Sequence, residues 1–278
     1  MRITRLFFKI LKNLFIVMAI VFVLVPITWT FLNSFHYFKD IVSMNVLFGD
    51  WTLHNYELIF FSRDENVLHE TLNSIVYVAS TLGIVIPLSI FAGYGFSRLP
   101  HFSKFKWIML NLFMFSRILP GVAIAVPYFV IYQSYNLYNT YLGLILIYVL
   151  RTLPLAVFMV MTFIEDVPRE IEESAMIDGA STASFLRRIL IPLISPGLVA
   201  TAIFVFIYAW DDYIFVIFLG GKEVANLQIA VAGFNAEYFI RWGEMCAATM
   251  FSVLPIILFI LVVQKHLVRG LTLGAIKG

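Results

Sequence analysis

PREIEESAMIDGASTASFLRRILIPLISP, residues 168–196, is a polar segment that lies between two long apolar runs. It is acidic at first and basic later. Pro168 suits the first turn of a helix, and the acidic groups that follow it are favoured near a positive helix N-terminus. Gly179 permits a sharp turn, and Ser181 or Thr182 can cap a second helix. The segment therefore predicts a short helix, a tight turn and a second short helix.

The composition of the whole chain indicates a membrane protein. Hydrophobic residues make up 61% and charged residues 13%, and the mean hydropathy is +0.92, whereas a soluble domain carries about 25% charged residues. A net charge of +2 gives no reason to expect a nucleic-acid partner. The single cysteine, Cys246, allows no internal disulfide and no cysteine cluster for a metal. We predict no metal site and one domain over residues 1–278.

Six apolar runs are long enough to cross a hydrocarbon core of ~30 Å. They lie at about 10–32, 71–97, 107–132, 141–164, 193–219 and 244–268. The first is too long for the apolar part of a signal peptide, and no small-residue cleavage site follows it, so we expect it to be retained. The predicted fold is an all-α membrane protein with six transmembrane helices.

Lysine and arginine are unevenly distributed between the segments that join these runs, and this bias sets the orientation. With the N-terminus inside, the inner segments contain Arg2, Arg5, Lys9, Lys12, Arg98, Lys104, Lys106, Arg169, Arg187, Arg188, Lys265, Arg269 and Lys277. The outer segments contain Lys39, Arg63, Lys222 and Arg241. We therefore predict that both termini and the 165–192 loop are cytoplasmic, and that residues 33–70 lie outside.

Four charged residues lie within or near the apolar runs: Arg117, Arg151, Asp211 and Asp212. An isolated charge in a membrane is costly, so these side chains should face the bundle interior, a watery cavity or one another. We expect one of the arginines to pair with one of the aspartates. A structural salt bridge, a subunit interface and a substrate path all remain open as roles.

The polar segment contains a spacing that identifies a family. Glu173-Ser174-Ala175, then Gly179 after three residues, then Ile189-x-Ile191-Pro192, resembles the EAA loop of permease subunits of binding-protein-dependent ABC importers. In that family the loop docks the membrane subunit on a cytoplasmic ATPase. Ser174 stands where the family has alanine, and Ile191 where it usually has leucine. Both changes are small or conserve volume, so we expect docking to be retained.

The resemblance extends along most of the chain. Residues 51–56, 92–98, 137–140 and 210–213 look family-like in order, although Asp211-Asp212 stands where the family often has Asn-Glu. The tail at 269–278 resembles that of the carbohydrate-uptake group, which includes the shorter maltose permease subunit. The resemblance therefore implies a sugar or oligosaccharide as the solute.

The family implies an importer-permease (MetI-like) bundle that forms half of a translocation pathway in the prokaryotic plasma (inner) membrane. The implied partners are a second permease subunit, two ATPase subunits that bind ATP and Mg²⁺, an extracytoplasmic sugar-binding protein and membrane lipid. This chain itself would hold no cofactor. The implied ATPase-coupling residues are Glu173, Ser174, Ala175, Asp178, Gly179, Ala180, Ile189 and Pro192.

Candidate sugar contacts follow from the implied solute, because sugars favour aromatic faces with hydrogen-bonding groups nearby. With the four intramembrane charges, the candidates for the substrate path are Trp210, Tyr213, Tyr128, Tyr132 and Asn235. The family also leaves open that the other permease subunit holds most of the sugar.

The sequence is also compatible with other classes of membrane protein, to different degrees. A permease for a peptide, amino acid or anion is the nearest alternative, and the family-like stretches and the tail argue against it. An ion-coupled secondary transporter would not need the 168–196 segment, and no inverted repeat of broken helices is visible. The chain has no HExxH motif, no Ser/His/Asp set and no GxxxxGK[ST] phosphate loop, so we predict a transporter subunit and not an enzyme.

Overall fold

The computed structural model of this chain describes residues 2–62, 67–98, 108, 111, 115, 118–235 and 239–274, with backbone alone at 2–7 and 264–274. Its α-helices are α1 (Arg2–Asn33), α2 (Phe38–Val42), α3 (His54–Phe61), α4 (Val67–Arg98), α5 (Gly121–Ser134), α6 (Tyr141–Glu165), α7 (Arg169–Ile177), α8 (Thr182–Phe185), α9 (Ile191–Leu193), α10 (Ser195–Trp210), α11 (Ile214–Leu219), α12 (Leu227–Gly233) and α13 (Trp242–Gly274). A π-helical stretch, Leu186–Leu190, joins α8 to α9, and a 3-10 turn, Lys222–Val224, follows α11. The all-α prediction is confirmed for the described residues.

The chain forms two compact units, of which the first comprises Met1–Leu68 and Ala230–Leu254. Within it, the segment after α1 folds on itself: His36 pairs with Trp51 in an isolated antiparallel bridge. The buried Asn55 amide donates to the carbonyls of Ser34 (3.0 Å) and His36 (2.9 Å). A buried amide that satisfies two backbone carbonyls fixes this segment as an ordered element.

The second unit comprises His69–Ile229 and Pro255–Gly278. Helices α4, α6 and α10 meet at Val85, Ala156 and Val205, all fully buried. Gly93 of α4 lies against α6, where an added Cβ would come within 3.1 Å of the Met161 backbone nitrogen. Small residues allow such close helix contact, and Gly93 provides it between α4 and α6. The prediction of one domain for the whole chain stays a prediction.

Among the residues that the structure describes, four helices are long and apolar enough to cross a membrane: 8–33 of α1, all of α4, all of α6 and 242–263 of α13. They correspond to the first, second, fourth and sixth predicted spans. Of the third, 107–132, much lies outside the described residues, and α5 contains 121–132 of it as a shorter apolar helix. The sixfold count therefore stays a prediction.

The fifth predicted span, 193–219, is not one continuous helix. It bends by 78° between Thr182–Leu193 and Ser195–Trp210, and it breaks again between α10 and α11. At the second break, Asp212 accepts a hydrogen bond from the Tyr148 hydroxyl of α6 at 3.2 Å, and its carboxylate also faces the backbone N–H groups of Phe215 and Val216. A side chain that accepts the free N–H groups of a helix start favours a new helix over continuation of the old one.

Candidate functional site

The turn that ends α7 forms a complete C-terminal cap. Gly179 has φ +83°, its N–H donates to the Met176 carbonyl at 3.0 Å, and the Ala180 N–H donates to the Ala175 carbonyl at 2.9 Å. These two bonds, with a left-handed glycine between them, define a Schellman motif. The sharp turn predicted at Gly179 is confirmed, and Ala175 before it belongs to an apolar cluster against which Ala180 after it packs.

The second half of the element begins at Ser181. Its hydroxyl accepts a hydrogen bond from the Ser184 N–H at 3.3 Å and so caps α8. The sequence left Ser181 and Thr182 open as caps, and the structure selects Ser181. The predicted order of short helix, turn and short helix is confirmed, with the difference that the second helix continues through the π-helical stretch into α9.

An apolar base lies beneath this element. Phe185 and Leu190 of the second half are fully buried with Val160 and Ile164 of α6. Ile90 of α4 joins the same cluster and is 8% exposed. Burying large side chains of this kind stabilises by about 1.5–3 kcal/mol each. The segment is therefore a packed part of the second unit and not a solvated connector.

The eight residues expected to couple to an ATPase divide into two groups. Glu173, Ser174, Asp178 and Pro192 are exposed. Ala175 is 6% exposed, and Ala180 and Ile189 pack as partly buried residues against the apolar base. Gly179 supplies the turn. The first group can contact a partner, and the second gives the element its shape.

The outer face of α7 combines acidic and apolar groups. Ile177 is 86% exposed and Met176 is 38% exposed. Beside them lies an open groove of about 470 Å³, whose lining includes Arg169 and Glu173. This face of α7 is solvent-exposed in the isolated chain. Exposed surfaces that combine apolar and charged groups often bind protein partners.

A second polar cluster surrounds the break after Trp210. The Tyr148 hydroxyl of α6 donates to Asp212 Oδ2 at 3.2 Å, and the buried Asn226 side chain donates to the Asp212 carbonyl. Arg151 Nε donates to the Tyr208 hydroxyl at 3.1 Å, and its guanidinium lies 5.9 Å from the Phe215 ring. Arg151 and Asp212 therefore both lie where α6 packs against α10 and α11.

The remaining substrate-path candidates are placed separately. Trp210 is 1% exposed and its ring stacks on Phe206 at 5.7 Å, while Asp211 and Tyr213 are exposed. Tyr128 and Tyr132 contact edge to face on α5, at 6.1 Å between centroids. Asn235 belongs to the first unit and its backbone pairs with Ile240. Arg117 lies outside the described residues, and pairing of an arginine with Asp211 or Asp212 stays a prediction.

Sequence reasoning missed the groups that hold the segment after α11. Asn73 donates to the carbonyls of Glu223 (3.2 Å) and Ala225 (2.8 Å), and the Tyr77 hydroxyl donates to the Val224 carbonyl at 2.7 Å. Polar residues within an otherwise apolar run were the available signal, since such groups require partners.

This chain is similar in sequence to a known family of membrane transport proteins. The family described as "Binding-protein-dependent transport system inner membrane component" matches residues 85–273. The trehalose transport system permease protein SugB of Mycobacterium tuberculosis is 31% identical over 92% of this chain and 93% of its own length. The trehalose/maltose transport system permease protein MalG of Thermococcus litoralis is 30% identical over 95% of this chain and 94% of its own.

A solved structure shares the fold. A chain of a bacterial ABC transporter involved in the import of the acidic polysaccharide alginate superposes with a TM-score of 0.76, at 19% identity, over 93% of this chain and 95% of that one. The family match over residues 85–273 shows that the chain belongs to the inner-membrane permease components of binding-protein-dependent ABC transport systems.

Proposed function

We propose that this chain forms half of the translocation pathway of an ATP-driven importer for a sugar or oligosaccharide, and that α7 to α9 couple it to ATPase subunits. The observation that carries the coupling role is the capped, apolar-based element at Gly179 with the exposed residues Glu173, Ser174 and Ile177 above it. Relatives named for trehalose and maltose transport, and a fold shared with an alginate importer, support a carbohydrate solute.

The coupling follows from differential binding. ATP shifts the permease between inward-open and outward-open states only if the ATPase subunits bind it differently in the two states. A rigid docking element passes that difference on, because a packed base transmits displacement with little internal deformation. In this proposal ATP and Mg²⁺ are held by the ATPase subunits, and an extracytoplasmic binding protein delivers the solute to this chain and a second permease subunit.

Co-purification tests the assembly directly. The chain is extracted from its native membrane in a mild detergent, and the proteins that accompany it are identified by mass spectrometry. We expect a second permease with its own EAA-like loop and an ATPase with a phosphate loop. Recovery of this chain alone, under conditions that preserve other membrane complexes, contradicts the proposal and favours an ion-coupled transporter.

The solute is tested with the purified complex in proteoliposomes. ATP-dependent uptake of labelled trehalose and maltose is compared with uptake of a labelled peptide and a labelled amino acid, each with its binding protein present. Uptake confined to carbohydrates supports the sugar assignment. Uptake confined to the peptide or the amino acid would leave the assignment as an importer subunit intact and would contradict the assignment of a carbohydrate solute.

We also propose six spans with both termini in the cytoplasm. Because Cys246 is the single cysteine, a Cys246→Ala background makes single-cysteine labelling feasible. A membrane-impermeant maleimide should label Asp50→Cys in intact cells and label Ser174→Cys only after lysis. The reverse pattern contradicts the orientation.

A further inference from the structure

Arg98, the last residue of α4, reaches the docking helix α7. Its Nε lies 3.1 Å from Glu172 Oε2, and the two side chains are 8% and 17% exposed. Tyr94 lies one turn earlier on α4, and its hydroxyl donates a hydrogen bond to the other carboxylate oxygen, Glu172 Oε1. Both oxygens of this carboxylate are therefore held by α4.

The same guanidinium holds the end of α6. Arg98 Nη2 donates to the carbonyls of Ile164 (3.1 Å) and Val167 (2.7 Å). Carbonyls at a helix C-terminus lack partners within the helix and carry partial negative charge, which a cation stabilises. Arg98 is thus the point at which α4, α6 and α7 are joined by polar contacts.

Two adjacent glutamates of α7 face in different directions. Glu173 is exposed, whereas Glu172 is mostly covered and directed at α4. A second, weaker contact reinforces this side, since Arg169 Nη2 lies 3.4 Å from the Ser97 carbonyl. Glu173 is therefore available to a partner, while Glu172, which lines the same groove, is fixed to α4.

We propose that Glu172, Arg98 and Tyr94 form the link that passes a movement of α7 to α4 and α6. This inference rests on the proposed docking role of α7. Separating a mostly buried ion pair leaves uncompensated charge, which is strongly unfavourable. A force applied to α7 therefore moves the three helices together and does not bend the loop between them. The three side chains are positioning residues, since they act on the helices and not on ATP or the solute.

The test measures solute transported per ATP hydrolysed by the whole complex in proteoliposomes. Glu172→Gln keeps the side-chain size and removes the charge, and Tyr94→Phe keeps the ring and removes the hydroxyl. We expect Glu172→Gln to lower the ratio about tenfold, within the range of allosteric couplings. We expect Tyr94→Phe to lower it about threefold, because one hydrogen bond is lost and the ion pair stays.

Two controls separate the link from general damage. Asp166→Asn removes a nearby exposed carboxylate at the end of α6. Within the described part of the chain this carboxylate forms no ion pair and no side-chain hydrogen bond. The variant should therefore transport as much solute per ATP as the wild type. The double variant Arg98→Gln/Glu172→Gln should transport no less solute per ATP than the more impaired of the two single variants. The effects of substitutions within one network of contacts are not additive.

The outcomes are distinct. A wild-type ratio in both Glu172→Gln and Tyr94→Phe, with the ATPases still bound, overturns the link and leaves the proposed function standing. If Glu172→Gln does not assemble, Tyr94→Phe decides: a lowered ratio supports the link and an unchanged one overturns it. Absence of ATPase subunits from the wild-type preparation overturns the proposed function and the link with it.

Discussion

The proposed docking element, α7 to α9 around Gly179, and the helix break around Asp212 both interrupt apolar sequence, but they are held in different ways. The bonds that close the first join residues three and five positions apart, from Gly179 to Met176 and from Ala180 to Ala175. The second depends on Tyr148, which is 64 positions away from Asp212 in sequence. A turn made by neighbours can be predicted from its residues, whereas a break held by distant side chains depends on tertiary packing.

The comparison predicts that the docking element is most sensitive in its apolar base. Phe185→Ala should lower the free energy of unfolding by about 3–5 kcal/mol, since the fully buried ring leaves a cavity. The measurement is an unfolding titration of the purified chain in detergent micelles.

Phe158→Ala is the matched control for that variant. It removes the same atoms from α6 at a site that is 37% exposed. A loss at Phe185 no larger than the loss at Phe158 would show that the base contributes little, and that local capping alone holds the element.

The turn itself should be the next most sensitive point. Gly179→Val places a β-branched residue at φ +83°, which costs about 1–3 kcal/mol. An added Cβ meets no atom within 4 Å, so the cost is backbone strain and not collision. We expect ATP-coupled uptake to be lost while the chain still inserts in the membrane.

Gly179→Asn separates strain from side-chain bulk. Asparagine adopts the left-handed conformation more readily than valine, so this variant should retain much of the uptake. Equal loss in the two variants, measured in vesicles at matched protein levels, would falsify the strain argument.

The break at Asp212 should respond more weakly. Asp212→Ala removes the acceptor of the Tyr148 hydroxyl and the carboxylate that faces the N–H groups of Phe215 and Val216, and it should lower the free energy of unfolding by about 1–2 kcal/mol. Tyr148→Phe removes the long-range contact alone and should cost about 1 kcal/mol. If Tyr148→Phe has no effect on unfolding in micelles, the break is held locally and the contrast with the docking element disappears.

What could be predicted from the sequence follows the same division. Pro168 and Gly179 indicated the helix and the turn, and Ser181 or Thr182 the cap, because each residue acts on its own backbone or on residues a few positions away. Four of the six apolar runs correspond to helices long enough to cross a membrane, because length and hydropathy suffice to predict such helices. The fifth run is not one helix because Asp212 at its break contacts Tyr148, 64 positions away, and neither run length nor hydropathy encodes that contact.

The Arg98–Glu172 contact was also beyond sequence reasoning. Arg98 counted as a positive charge at the inner end of a span, and Glu172 as one of several acids at a helix start. Their pairing requires α4 and α7 to meet, which residue spacing does not encode. Asn73 and Tyr77, which bind carbonyls of the segment after α11, were missed for the same reason.

The smallest expected effect lies at the cap of α8. The hydrogen bond from the Ser184 N–H to Ser181 is 3.3 Å long, so Ser181→Ala should cost about 0.5–1 kcal/mol, at the weak end of capping contributions. Ser181→Asn, which keeps an acceptor, should restore most of that loss in the same micelle titration. Because Phe185 anchors the same turn from below, Ser181→Ala combined with Phe185→Ala should cost less than the sum of the two. A fully additive double variant would mean that cap and base stabilise separate parts of the element, and that the element is less of a unit than its packing indicates.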